Sequence, residues 1–227
     1  MNEHEAVERT RRDYDAVAEL YDSMVRQGDD DAGTLARAMI NAFAGLVHAG
    51  GSDSAVLDAG CGPGQWVDHL DRNGTRAYGI DVSPAMIEIA RQYRPDLSFE
   101  VASMLQLKAP DGSIAGILAH FSLIHTPPAL LPAVLVEFAR VIEPGGPLLV
   151  AAQITDSPGD EGWTPYDHKA SPAYVWSLDA LTEQLRAHNF NELGRMRIAA
   201  PVQGKPPAGY LLARHDAHGA AQISGDS

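Results

Sequence analysis

Cysteine is almost missing from this chain of 227 residues: Cys61 stands alone, so no internal disulfide can form, and no CxxC or HExxH spacing offers ligands for a structural zinc. A reducing, cytoplasmic setting and the absence of a metal are the expectations that follow. Long apolar runs are missing too. No stretch approaches the roughly 18 apolar residues that cross a bilayer, and the opening MNEHEAVERTRRDYD lacks the apolar core of a secretory leader, so ligands are expected to be met in water, with no membrane partner. Positive charge is scarce: 17 Lys plus Arg against 30 Asp plus Glu give a formal charge of -13. Such a field repels phosphate, and a nucleic-acid partner is not expected. Aromatics make up only 7%, while 45% apolar and 21% charged residues are the proportions of an ordinary globular domain. At this length one domain with additions fits better than two. Composition leaves a homodimer open.

Within residues 3 to 27, Val7, Tyr14, Val17, Leu20, Tyr21 and Met24 recur at near-helical offsets among charges, which predicts an amphipathic helix with a break near Thr10. An acidic turn from Gly28 to Gly33 ends it. A second helix shows one face at Leu35, Met39, Ile40, Phe43, Leu46 and Val47 and closes in HAGGSDS. Residues 1 to 53 therefore read as a helical extension, or lid. From Ser54 short apolar runs alternate with helical stretches, the pattern of βα units and a parallel sheet. Strands are expected at 54 to 58, 76 to 80, 97 to 101, 114 to 119 and 147 to 153, with a helix over 129 to 141 before the fifth. Residues 154 to 177, rich in Pro, Gly, Asp and aromatics, read as a long loop on the substrate side. A helix bearing Leu178, Leu181 and Leu185 follows, then strands near 193 to 199 and 208 to 213 around PVQGKPPAG. The domain is expected to close at 214, and residues 215 to 227 to fray.

The segment SAVLDAGCGPGQW, residues 54 to 66, joins an apolar strand to an acidic residue, three alternate glycines and a helix start. Alternate glycines let backbone turn sharply and approach a ligand, and the helix near Gln65 adds free amide donors and a positive dipole end. Asp81 closes the second strand, where sheets that bind nucleosides take ribose hydroxyls. The dinucleotide fingerprint wants glycine at its first, third and sixth positions, but counting from Gly60 the sixth is Gln65. Asp58 beside the loop would repel a pyrophosphate, whereas it suits a ligand carrying an amino group and a sulfonium. Both features turn the reading from nicotinamide cofactors toward S-adenosylmethionine.

VLDAGCGPG followed by GIDVSPAMIEIAR resembles the class I S-adenosylmethionine-dependent methyltransferases. The resemblance runs over residues 54 to 153, through AHFSLIHTPP and EPGGPLLV, and YDAVAELYD at 14 to 22 is similar to the helix that covers the cofactor in many small-molecule members. It implies an α/β fold with a Rossmann-like, seven-stranded, mostly parallel sheet, helices on both faces and an N-terminal helical lid. It also implies S-adenosylmethionine as cofactor and S-adenosylhomocysteine as product. Residue by residue, it places the Gly60 and Gly62 backbone against the methionine portion, Asp58 near its amino group, Asp81 on the ribose, and Met86 and Met104 about the adenine. Ser103 stands where many relatives have an acidic residue for the adenine amino group.

Tyr14 and Tyr21, seven apart, share a helix face and are candidates for cofactor or substrate contact, with ordinary packing as the alternative. His120, at the fourth strand's end, reads as a backbone contact to the cofactor with its ring packed. A methyl acceptor must lose a proton, and histidine titrates nearest neutrality. His125 in the substrate-facing loop is the candidate base and His168, in WTPYDHKAS, its rival. Trp163, Tyr166, Tyr174 and Trp176 would suit an apolar or aromatic acceptor. The expected activity is methylation of a small molecule, on oxygen first, with nitrogen or carbon as alternatives. A fold-retaining binding or regulatory protein is the competing class, separable by whether the cofactor shifts thermal stability.

Overall fold

The computed structural model describes residues 2–26, 31–200, 202 and 204–216. Residues 28–30 of the acidic turn expected from Gly28 to Gly33, two positions of the PVQGKPPAG turn, and the tail from residue 217 lie outside the described residues, and the turn's remaining residues 31–33 open a helix instead. The chain opens with helices α1 (Glu3–Arg26) and α2 (Asp31–Gly50). It continues as β1 (Val56–Ala59), α3 (Gln65–Arg72), β2 (Ala77–Asp81), α4 (Pro84–Tyr93), β3 (Ser98–Val101), β4 (Gly116–His120), α5 (Leu131–Val141) and β5 (Pro147–Gln153). A small hairpin, β6 (Trp163–Tyr166) and β7 (Ala173–Trp176), precedes α6 (Leu178–Ala187), β8 (Phe190–Ile198) and β9 (Ala208–His215). No helix among the described residues is long and apolar enough to cross a membrane.

The seven-stranded sheet has the order β3-β2-β1-β4-β5-β9-β8. β1 to β5 run parallel, and β9 lies antiparallel to both β5 and β8. This is the Rossmann-like, mostly parallel fold that the sequence pattern and the resemblance implied. The order reverses between β1 and β4, and there the strand ends open the crevice in which such sheets take ligands.

Alternation along the strands decides which helices lie on which face. Leu57, Ile80, Ile117, Leu148, Val150 and Leu211 pack with α5 and α6. Val56, Leu118, Leu149 and Tyr210 pack with Ile40, Phe43 and Val47 of α2 and Leu70 of α3, while Val67 and α4's Ile87 and Ala90 pack on Phe99. Residues 1–53 thus divide in two, since α2 is built into the sheet's core and α1 stands outside it.

Three sequence expectations need correction. α1 is continuous through Thr10, whose hydroxyl donates to the Ala6 carbonyl at 3.2 Å and so stays satisfied within the helix. Ion pairs from Arg11 to Glu8 and Asp15 span the same turns. Residues 154–177 are not a plain loop: the β6–β7 hairpin occupies them, tied to the sheet where Thr155 N–H donates to the Trp176 carbonyl at 2.9 Å. Strand pairing also outlasts the expected boundary at 214. His215 pairs with Phe190, and Asp216 N–H donates to the Asn189 carbonyl at 2.7 Å.

Candidate active site

The glycine loop leaves β1 at the switch point with Gly60 at φ 78° and Gly62 at φ 52°, left-handed conformations that favour glycine. A Cβ on Gly60 would lie 2.3 Å from Ser122 Cβ, so the loop presses against the segment after β4. Gly60 and Cys61 N–H groups both donate to the Ile80 carbonyl, at 2.8 and 2.9 Å, fastening the loop to β2. Asp81 fixes it from the other side: Oδ2 accepts from Gly62 N–H at 2.9 Å and Oδ1 from Ser83 N–H at 2.8 Å. Burial raises the Asp81 carboxyl despite those donors. The Cys61 thiol is buried and pushed up by that burial, as an inert packing residue would be.

Asp58, immediately before the loop, is wholly buried, and neither of its oxygens has a hydrogen-bond partner among the described residues. Burial, and then the neighbouring Asp81, push it up to about 8. An unpartnered buried carboxylate is expensive, and a cation seated against it removes the expense. Asp81 lines the cavity at this sheet edge and Asp58, wholly buried, does not, so the two acceptors fit a ligand that brings hydroxyls to Asp81 and a buried ammonium group to Asp58.

Two adjoining cavities lie over this edge of the sheet. One is lined by Gly60, Gly62, Asp81 and Met104 together with Tyr14, Tyr21, His120 and His125. The other is mostly apolar; Ala6, Val7, Ser103, Leu105 and Leu130 line it, and Met104 is shared with the first. Sequence positions as far apart as 14 and 125 thus meet around one space. Met86 does not join them: it is fully buried in the first turn of α4, where its N–H is taken by Ser83 Oγ, and its side chain is spent on packing. His168 also lines neither cavity. Its ring lies edge-on to His125 at 5.2 Å, half-buried, with its pKa lowered first by burial and then by Lys205.

Thr10, Val82, Ala102, Phe121 and Ser122 line the first cavity as well and were not singled out from sequence. Val82 was findable as the neighbour of Asp81. Phe121 was not: it adopts φ 54°, rare for an aromatic residue, and it carries Ser122 against Gly60 with no glycine to announce the turn.

The two histidines at the cavity differ in their hydrogen bonds. His120 Nδ1 accepts from the Trp66 indole N–H at 3.0 Å, so Nε2 carries the proton and donates to Tyr210 Oη at 3.2 Å. Burial lowers this ring to about 3, and it packs as a neutral group. His125, in a single 3₁₀ turn over Leu123–His125, has Nδ1 at 3.0 Å from the Pro172 carbonyl in the loop between β6 and β7. A carbonyl only accepts, so Nδ1 carries the proton and Nε2 keeps its lone pair, 2.6 Å from Tyr14 Oη. Burial lowers this ring to about 4.

Residues 56–146 match the family profile of a methyltransferase domain. The chain is 33% identical over 94 residues to a malonyl-[acyl-carrier protein] O-methyltransferase of Serratia marcescens, a match covering 41% of this chain and 36% of that one. It spans between about a third and a half of the length of several curated relatives. A 2-heptyl-1-hydroxyquinolin-4(1H)-one methyltransferase of Mycobacteroides abscessus matches at 29% identity over 188 residues, 75% of this chain and 82% of that one. Among solved structures, a 1,6-didemethyltoxoflavin-N1-methyltransferase of Burkholderia thailandensis, bound to 1,6-didemethyltoxoflavin and S-adenosylhomocysteine, superposes with a TM-score of 0.73 at 21% identity, covering 95% of this chain and 91% of that one.

Proposed function

The chain belongs to the class I S-adenosylmethionine-dependent methyltransferases, and from that premise we propose that it methylates a hydroxyl oxygen of a small, largely apolar acceptor. The observation that carries the cofactor's orientation is the orphaned, wholly buried carboxylate of Asp58. It pairs with the amino group of the methionine portion, and the Gly60–Gly62 backbone lies against the same portion. Asp81 takes the ribose hydroxyls through lone pairs left over from its two backbone partners. Ser103 and Met104 flank the adenine on the apolar side. Bound there, S-adenosylmethionine supplies an electrophilic methyl group on a sulfonium.

The protein's own work is then to align, to exclude water and to dispose of a proton. α1 covers the cavity. His125 provides the basic nitrogen, held in one tautomer by Pro172. Oxygen is favoured over nitrogen because a hydroxyl attacks well only once deprotonated, and the tautomer that Pro172 fixes leaves His125 Nε2 as an unprotonated acceptor at the cavity. The Serratia relative is an O-methyltransferase by name and the Mycobacteroides relative is named for a hydroxyquinolinone, while the Burkholderia neighbour's name gives a nitrogen acceptor. The test is transfer of labelled methyl from S-adenosylmethionine to a panel of phenols, carboxylates and amines. Product from the phenols alone supports the reading. Product from amines alone would reject oxygen transfer.

A further inference from the structure

The lone pair that His125 offers does not face the cavity free. Nδ1–H is committed to the Pro172 carbonyl at 3.0 Å, so Nε2 has a single in-plane lone pair, and Tyr14 Oη–H donates into it at 2.6 Å. An acceptor hydroxyl cannot share that lone pair while Tyr14 holds it. The Tyr14 hydroxyl, in contrast, has used its one proton on His125 and keeps oxygen lone pairs; among the described residues no donor reaches them. Tyr14 lines the same cavity as Gly62 and Asp81, and its ring sits edge-on to Tyr21 at 5.7 Å and to the His125 ring at 5.2 Å. On either side of it α1 is pinned: Asp13 accepts from Ser171 Oγ at 2.7 Å and Asp15 from Ser83 Oγ at 2.6 Å. The phenol is thereby held between the ring and the space where an acceptor would lie.

We propose that Tyr14 takes the acceptor's proton while passing its own hydroxyl proton to His125 Nε2, making it a catalytic residue of the transfer and not only a wall of the cofactor site. The proposal rests on the reading of oxygen methylation above. The acceptor oxygen's electron pair forms the new O–C bond, and the pair of the broken C–S bond stays on sulfur. The acceptor O–H bond breaks, its proton bonds to Tyr14 Oη, and the original Tyr14 proton moves to Nε2. Tyr14 is a neutral phenol before and after, so its strongly raised pKa, caused first by burial, is no obstacle. The positive charge that leaves the sulfonium reappears on the imidazolium, so the transfer itself creates no new charge pair in a dry cavity. The ring returns its proton to water when the covering helix opens.

The experiment compares wild type, Tyr14→Phe, His125→Phe and the double variant on a series of phenols from phenol to 4-nitrophenol at pH 8, with S-adenosylhomocysteine affinity from calorimetry and imidazole nitrogen NMR of the wild type and Tyr14→Phe. Tyr14→Phe is expected to lower kcat about 100-fold for phenol, which still carries its proton, and less than about threefold for 4-nitrophenol, which is ionised. The two single variants and the double should lose about the same factor, because a relay in series fails once. S-adenosylhomocysteine affinity should stay within about threefold, and the Nε2 resonance should move to that of a free pyridine-type nitrogen in Tyr14→Phe. A loss independent of acceptor acidity, unchanged kcat, or an affinity loss that matches the kcat loss would each overturn the relay while leaving oxygen methylation standing. No product from any phenol with the wild type would overturn both.

Discussion

Asp15 of the covering helix accepts hydrogen bonds from Ser83 Oγ at 2.6 Å and from the Ala85 N–H at 3.2 Å, so a carboxylate carried on α1 caps the start of α4. Ser83 is itself the N-cap of α4, accepting from Met86 N–H, and its own N–H holds Asp81. A negative charge at a helix N-terminus is favourable. Closing α1 and ordering the segment that carries Asp81 are therefore one event. Asp22 adds a second tie farther along, accepting from Tyr93 Oη at 3.1 Å, with Arg26 stacked over the Tyr93 ring.

Replacing Asp15 with Ala removes the tie but no residue of the ligand site. S-adenosylhomocysteine affinity should fall about fivefold to tenfold, since the two hydrogen bonds to this partly exposed carboxylate together contribute about 1 kcal/mol. Amide exchange should quicken through residues 3 to 26 and stay slow in the sheet. Exchange rates in α1 that match wild type would reject the coupling.

The two N-terminal helices should behave oppositely when perturbed. Phe43 of α2 is fully buried among Val56, Leu118 and Leu149, and Phe43→Ala should cost about 3 to 5 kcal/mol of stability in denaturant unfolding. Deleting residues 1 to 26 should leave a cooperatively folding sheet domain that binds S-adenosylhomocysteine poorly, because α1 contributes nothing to the cores. Loss of cooperative unfolding in the truncated chain would contradict that division.

What the sequence disclosed follows physical range. The central strands β1, β4 and β5 are largely apolar runs buried on both faces, and every parallel strand, the more exposed β2 and β3 included, lies within two residues of its expected bounds. The glycine loop and Asp81 are separated by one βα unit, so their partnership was legible as spacing. The β6–β7 hairpin was not: each strand has four residues, β6 contains Pro165, and only pairing with each other and with the end of β5 makes them strands. Nor was the meeting of Tyr14 with His125, 111 positions apart, or the Pro172 carbonyl that settles the tautomer. Such contacts are products of topology, and side-chain type alone does not announce them.

Asp81→Ala should weaken S-adenosylhomocysteine binding by about 1 to 3 kcal/mol, since the ribose loses a charged acceptor and the Gly62 and Ser83 N–H groups lose theirs. Asp81→Asn separates the two effects. The amide oxygen can still accept from one N–H but its nitrogen cannot accept from the other, so the loop loosens while half the ribose contact survives. Calorimetry should rank wild type above Asn and Asn above Ala; an equal affinity for all three would remove Asp81 from the ribose.

The last prediction concerns protons released by Asp58. Its carboxyl stands at about 8 in the free protein against an ordinary 3.8. Between those values the folded protein keeps a proton that the unfolded chain has lost, so this residue's contribution to stability is fullest in acid and is lost as pH rises toward 8. An ammonium group seated on Asp58 reverses the preference, because the pair is favourable only with the carboxylate ionised. At pH 7 ligand binding is therefore expected to release a proton from Asp58. S-adenosylhomocysteine titrated calorimetrically in phosphate and in Tris at pH 7 should show heats that differ by that proton times the difference in buffer ionisation heat. The difference should shrink at pH 9, and affinity should rise between tenfold and a hundredfold, roughly, from pH 6 to pH 8. Asp58→Asn should bind weakly and lose both dependences. Equal heats in the two buffers at pH 7 would show that the amino group is held elsewhere, and the orphaned carboxylate would then need a different cation.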